Sequence, residues 1–340
     1  MYDGKNKRTL PMPQHSSRTS GETCSAQELR RARHTHRRAQ ALTRSCLDDV
    51  RCGRGIDAAA VKTVVTDCVR SLQRNPDLLL WLGKTQPDGE DTATHSLNTG
   101  LLAIAFGRYL GAAEDDLNRL GVAGLLHDVG KMHTPPALLN KAGPLDAGEF
   151  SIVQRHTQHG HDILRDHGRP FHGAMEVAYS HHENLDGSGY PRRIRSTDIS
   201  RFTRIVMLCD VYDAVTSDRV YRRAAPSSQA LRIIAQQTGS RFDPKLARQF
   251  IDFIGPYPPG SIVELASGEA AVVIGSNSRH PRLPRIIVVR NGDDSPTDHI
   301  LDLEHCARQQ HSPRLIQRLL PNGSRNIHIE DYLDKLDRRR

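Results

Sequence analysis

No disulfide framework is legible in this chain. Its six cysteines (Cys24, Cys46, Cys52, Cys68, Cys209 and Cys306) are scattered and form no CxxC pair, which points to reduced thiols and a cytoplasmic location. No run approaches the roughly 18 apolar residues that a membrane span needs, and the opening MYDGKNKRTL lacks the apolar stretch of a secretory signal. The phosphate-cradling patterns GxGxxG and GxxxxGK[ST] are absent, which argues against a kinase or ATPase. No internal repeat is visible. Hydrophobic residues make up 37% and charged residues 25% of the 340, enough to bury a core of one large domain or two to three smaller ones.

Charge is plentiful but unevenly placed. Of the net +8, residues 1–45 hold +7, from ten Lys/Arg against three acids. A basic stretch of this kind is compatible with nucleic acid or anionic lipid. It has few aromatics and no groove-reading motif, so we expect residues 1–40 to be a solvated, disordered extension rather than a nucleic-acid binder.

Residues 1–25 are rich in Ser, Thr, Pro and Gly, whereas 26–50 have helical character with a strongly basic first half. Apolar spacing from Asp57 to Leu82 suits one helix and a short second one, and Gln86–Glu90 reads as a turn. Helices are expected over His95–Leu110, Leu117–Val129, from an Asp146 N-cap to about His167, and over Ala174–Glu183, Arg201–Thr216, Ser227–Thr238 and Asp243–Ile254. A Gly/Pro loop fills 184–200. After Gly255 come β-type runs at Ile262–Leu265, Ala270–Ile274 and Arg285–Val289, followed by a short helix and a charged tail. The expected organisation is mainly α: a helical segment at 41–90, a catalytic helical bundle at 91–254, a small antiparallel β appendage at 255–320 and a charged tail at 321–340.

Histidine is abundant. There are 18, and ten lie between His95 and His182. The central feature is LLHDVGK, residues 125–131, where His127 and Asp128 pair a neutral imidazole with a carboxylate able to bridge two cations. An HD dipeptide alone carries almost nothing, and a single such histidine is most often a hydrogen-bonded core residue. The surrounding pattern changes that balance. His95, His156, His181, His182 and Asp210 each sit on an expected helix beside core-facing apolar residues, and helices that converge such groups make metal sites. Metal coordination is also the simplest way to satisfy a buried ionisable cluster. His133, His159, His161, His167 and His172 read as surface or outer groups.

Residues from about Asp57 to Ile254 resemble an HD-GYP domain of the HD phosphohydrolase superfamily. The match rests on His95, His127-Asp128-Val129-Gly130-Lys131, His156, His181-His182-Glu183, Asp186-Gly187-Ser188-Gly189-Tyr190-Pro191, and Asp210-x-x-Asp213-Ala214-x-Thr216-x-x-Arg219-x-Tyr221. The resemblance implies an HD-type bundle and metal ligands His95, His127, Asp128, His156, His181, His182 and Asp210, with Asp128 bridging. It places Lys131 and Arg219 on the phosphate, Tyr190 in a loop that shapes the guanine site, and Asp213 and Arg222 beside the substrate. It further implies two divalent ions, iron or manganese, and hydrolysis of cyclic di-GMP to pGpG or GMP by a metal-bridging hydroxide, in bacterial signalling. Signalling protein partners and oligomers are compatible with it.

Two positions depart from the pattern. Asp91, one turn before His95, stands where some family members have an acidic ligand to a third metal; its other reading is an acid favoured by the helix dipole. Thr157 stands where a proline is frequent. The rival readings are another HD-superfamily nucleotide phosphohydrolase, a degenerate HD-GYP module that binds nucleotide or protein without turnover, and redox chemistry at a di-iron site. The DGSGYP loop argues against the first and the full ligand set against the second.

Overall fold

The computed structural model describes residues 26–85, 92–166, 171–217, 224–277, 279–309 and 315–333. Asp91, Arg219 and Arg222 lie outside the described residues.

The first helix, α1, runs from Ala26 to Arg51, so it starts well inside the stretch expected to be disordered. Its buried positions are Leu29, Ala32, His36, Ala39, Thr43, Cys46 and Val50, with Leu47 beside Cys46. These alternate at three- and four-residue steps, the period of one helix face. The basic residues between them take the outer face, and Arg38 and Arg74 pair with Asp67 and Glu28 across the packed helices. The helical character expected over 26–50 is thus present, and its first half is ordered although it falls within the 1–40 stretch expected to be disordered. We expect Leu29→Ala, at a position 1% exposed, to cost about 2–3 kcal/mol in urea unfolding; a cost below a few tenths would mean that this end of α1 does not pack.

Helix α2 (Ala58–Arg74) is capped by Asp57, whose carboxylate accepts from the N–H groups of Ala59 and Ala60, and α3 (Pro76–Lys84) follows an Asn75 cap. Next come α4 (Thr92–Tyr109), α5 (Glu114–Leu126), a 3-10 turn at Val129–His133, and α6 (Pro136–Leu139). Helices α4 and α5 approach closely because glycine faces glycine: a Cβ on Gly124 would lie 2.7 Å from the Gly100 Cα.

The single helix expected from Asp146 to His167 is two, α7 (Ala147–Gln154) and α8 (His156–Asp166). Asp146 and Glu149 do form a reciprocal capping box. The break at Arg155 has a local cause. The His156 Nδ1 donates to the Val153 carbonyl at 2.7 Å and the Thr157 hydroxyl to the Gln154 carbonyl at 3.0 Å, so side chains occupy acceptors that a continuous helix would use. Helix α9 (His172–Ser180) ends before the His181–His182 pair, and α10 (Arg201–Thr216), α11 (Ser227–Gln236) and α12 (Pro244–Ile254) complete the bundle.

The C-terminal strands form one antiparallel sheet in the order β4-β3-β2-β1-β5, with β1 at Ile262–Leu265, β2 at Ala270–Gly275, β3 at Arg285–Arg290, β4 at Pro296–Asp302 and β5 at Ile316–Leu320. It is less an appendage than a fused layer. Ile262, Val272, Ile287 and Val289 join the same core as the helices. Val263, Val273, Ile286 and Val288 face the other way, with Leu303 of α13 (Leu303–Arg308). Asp77 on α3 accepts from both the backbone N–H and the hydroxyl of Ser276, and the buried Trp81 ring lies against Gly260. The expected charged tail also packs in part: Ile327, Ile329 and Tyr332 are buried in the main core, the last on α14 (Glu330–Leu333). Among the described residues no helix is long and apolar enough to cross a membrane.

Candidate metal centre

Five helix ends or faces deliver seven polar side chains to one point. His95 comes from the middle of α4, His127 and Asp128 from the turn that closes α5, His156 from the first position of α8, His181 and His182 from the end of α9, and Asp210 from α10. All are buried except His182, which is half-exposed. The sequence led us to expect each on a helix. The structure keeps His95, His156 and Asp210 on helices but puts His127, Asp128, His181 and His182 in the turns that follow α5 and α9, and it sorts six of the seven into two groups that share the Asp128 carboxylate.

Asp128 is that shared group. Its Oδ2 lies 3.3 Å from the His127 Nε2 and 3.9 Å from the His95 Nε2. Its Oδ1 lies 3.4 Å from the His156 Nε2 and 3.5 Å from the His181 Nε2. Asp210 completes the first group, with Oδ1 at 3.0 Å from the His95 Nε2 and 3.8 Å from the His127 Nε2. His182 joins the second. Lys131 ion-pairs with the Asp128 Oδ2 from one turn further on.

The outer nitrogens are committed. His127 Nδ1 donates to the Gly124 carbonyl at 2.7 Å, His156 Nδ1 to Val153, and His181 Nδ1 to Ala178 at 3.1 Å. A carbonyl only accepts, so in the neutral rings every Nε2 carries a lone pair aimed inward. The His156 and His181 Nε2 atoms then stand 3.3 Å apart, lone pair toward lone pair, as two donors to one cation do. His127 Nε2 and Asp128 Oδ1 are buried without a hydrogen-bond partner. Such orphaned groups are costly unless a cation satisfies them. The residues present therefore fit divalent metal, with four donors in each group.

Electrostatics agree. Burial would raise the Asp128 carboxyl, but Lys131 and His127 hold it well below the usual carboxylate range. Burial drives His182 well down and His156 down to about 3, so both are the neutral imidazoles that metal binding requires. His95 behaves differently: burial opposes its protonation, yet Asp210 and Asp213 push it up to about 10.

Asp210 and then Asp213 raise the His95 pKa, and Asp213 has a contact that sequence reasoning did not assign. Expected beside the substrate, it sits 5% exposed behind His95, with Oδ2 at 2.7 Å from Nδ1. It orients the ring as a carboxylate partner of a metal-binding imidazole does. The signal was present: Asp210 and Asp213 are three apart on one helix and share a face.

The DGSGYP loop folds over the second group. Gly187 has φ +82, and a Cβ on Gly189 would fall 2.4–2.5 Å from the Asn184 nitrogen and the His182 carbonyl oxygen, so both glycines are required. Glu183, fully buried, accepts the Arg192 backbone N–H at 2.7 Å. The Tyr190 ring stacks on His182 with centroids 4.8 Å apart at 26°, and Phe150 meets it edge-on at 6.0 Å. The third-metal reading of Asp91 and the substrate roles of Arg219 and Arg222 concern residues outside the described ones.

A family model described as "HD domain" matches residues 84–246. The chain is 37% identical over 279 residues to a cyclic di-GMP phosphodiesterase of Pseudomonas aeruginosa, covering 82% of this chain and 67% of that protein. It is 36% identical over 163 residues to a 3'3'-cGAMP-specific phosphodiesterase of Vibrio cholerae, covering 48% of this chain but only 31% of that one. Among solved structures, an HD-GYP protein of Bdellovibrio bacteriovorus superposes with a TM-score of 0.56 at 16% identity, over 67% of this chain and 72% of that one, a likeness of fold.

Proposed function

The chain belongs to the HD domain family, in its HD-GYP branch, and from that premise we propose that it is a metal-dependent phosphodiesterase that opens cyclic di-GMP. The observation that carries this reading is Asp128, set between two imidazole groups, with its own Oδ1 and the His127 Nε2 buried and lacking a hydrogen-bond partner. That arrangement suits two divalent ions sharing one carboxylate.

When bound, such a pair supplies an activated water and neutralises charge on the phosphoryl oxygens. The chain's residues do the rest. His95, His127 and Asp210 hold one side and His156, His181 and His182 the other. Asp213 fixes the His95 ring, and the carbonyls of Gly124, Val153 and Ala178 fix three more. Lys131, still a quarter exposed, brings a positive charge to the place where a scissile phosphate must lie. By the family resemblance Arg219 would steady the phosphate and Arg222 border the substrate, while Asp91 would be either a ligand to a third metal or an acid favoured by the helix dipole. Iron and manganese suit this nitrogen-rich, carboxylate-bridged donor set, and the product is pGpG, GMP or both.

The decisive experiment measures cyclic di-GMP turnover by chromatography and metal content on the same sample, loaded with manganese or ferrous iron. About two metal ions per chain with hydrolysis supports the reading. Nucleotide binding without turnover at full metal content would make the chain a binding module instead.

Tyr190 separates substrate from chemistry. Because it stacks on His182, Tyr190→Ala is expected to slow any diester somewhat. On cyclic di-GMP the fall in kcat/KM should be larger, roughly five- to a hundredfold, the worth of a base–aromatic stack. The check is bis(p-nitrophenyl) phosphate assayed in parallel. Equal losses on both substrates would mean that the ring serves His182 alone.

A further inference from the structure

A cleft leads away from the half-exposed His182 and past Tyr190. Its walls come from three separated segments: the α7–α8 junction with Phe150 and Arg155, the DGSGYP loop with Tyr190 and Arg193, and the turn before α12 with Arg241. Each segment contributes one guanidinium, and no carboxylate lines the cleft among the described residues. Elsewhere in the bundle arginines are matched by acids: Arg165 with Asp162, Arg192 with Glu176 and Arg204 with Asp243.

Arg241 is the most telling of the three. Its Nε is buried with no hydrogen-bond partner, a desolvated donor that a native structure rarely leaves unsatisfied. The turn that carries it is tied to the loop, since the Asp186 N–H donates to the Ser240 carbonyl at 2.9 Å. Arg193 adopts φ +56, a left-handed conformation that any residue with a Cβ takes at a cost. A position that strained would be better served by glycine for folding alone.

We propose that Arg155, Arg193 and Arg241 form a subsite for the second, non-scissile phosphodiester of the cyclic dinucleotide. The proposal rests on the cyclic-dinucleotide reading above and extends it to substrate selection. The macrocycle carries two phosphodiesters. The metal centre takes one, and the other must leave water on a part of the protein that the cations do not reach. Guanidinium groups match phosphate oxygens with paired, charge-assisted hydrogen bonds, and the empty acceptor role beside the Arg241 Nε is filled by such an oxygen. A small diester with a single phosphate gains nothing from this cleft, so the three arginines raise selectivity for the dinucleotide.

The test uses full-length Arg241→Gln, Arg193→Gly and the double variant. Each is expected to lower kcat/KM on cyclic di-GMP relative to bis(p-nitrophenyl) phosphate by roughly tenfold, the worth of one charge-assisted contact, with the change carried by KM. The Kd of a fluorescent cyclic di-GMP, read by anisotropy, should rise in parallel, and Arg241→Lys should recover part of the loss. Arg193→Gly also controls for folding, because glycine relieves the left-handed backbone and its thermal midpoint should not fall. An unchanged substrate ratio in the double variant, or equal losses on both substrates, overturns the subsite. If the wild-type protein binds the fluorescent probe without hydrolysing it and the variants lose binding, the subsite stands and the phosphodiesterase reading falls. If the wild type turns over cyclic di-GMP and the variants keep its Kd, only the subsite falls. A wild type that neither binds nor hydrolyses the dinucleotide removes both.

Discussion

Replacing Asp128 by alanine is expected to stop hydrolysis, lowering turnover by roughly a thousandfold, which is about 4 kcal/mol of barrier, and to cut metal content below one ion per chain. Loss of a residue that merely orients a ligand costs ~10–100-fold; Asp128 does more. Its two oxygens face His127 at 3.3 Å on one side and His156 and His181 at 3.4 and 3.5 Å on the other. Without it, the group of His156, His181 and His182 holds no anion, Asp210 alone is left beside His95 and His127, and two cations introduced there have no carboxylate between them to offset their repulsion. Asp128→Asn separates this effect from misfolding, because it keeps volume and removes only charge. Circular dichroism and metal content on both variants complete the measurement. Either variant retaining two metal ions and the wild-type rate would refute the bridging role.

Gly130→Ala is expected to be nearly as damaging although no chemistry passes through it. An added Cβ would fall 1.9 Å from the His156 carbonyl oxygen and 2.4 Å from the Gly160 nitrogen. Both are backbone atoms of α8, so no side chain can rotate away and the helix itself must shift. Overpacking of this kind costs about 3 kcal/mol or more, and the shift drags His156 out of its group. The thermal midpoint should drop by several degrees, with metal lost from the group that holds His156 and His181. Gly173→Ala on α9 is the control, since nothing but Phe202, at 4.0 Å, lies within reach of its added carbon. A Gly130→Ala protein that melts with the wild type would show that α8 does not lie where it is described.

Several elements diverged from expectation for reasons that lie in packing. The strands missed, β4 and β5, are the two edges of the sheet. Edges stay polar to avoid pairing with other chains, and β4 is partly exposed along most of its length, so neither shows the apolar run that marked β1, β2 and β3. Helix α1 was expected over 26–50, yet the basic content of its first half also put residues 26–40 in a disordered tail. Long cationic side chains are at home on the solvent face of a packed helix, so composition alone set that boundary too far along the chain.

The sequence by itself determined the chemistry. His95, the His127–Asp128 pair, His156, the His181–His182 pair and Asp210 were expected to be metal ligands from their types, order and DGSGYP context, and helical periodicity set His95, His156 and Asp210 on helices beside core-facing apolar residues. Only the tertiary structure decided how they divide. Periodicity states which face of a helix is buried and not which partner it meets, so the split into two groups about Asp128 depends on how α4, α5, α8, α9 and α10 cross. The same is true of Asp213, which stands behind His95 although 118 residues separate them. It is true as well of Arg155, Arg193 and Arg241, scattered along the chain yet gathered on one cleft, because an electrostatic field is set by distance in space and spacing along the sequence carries no record of it.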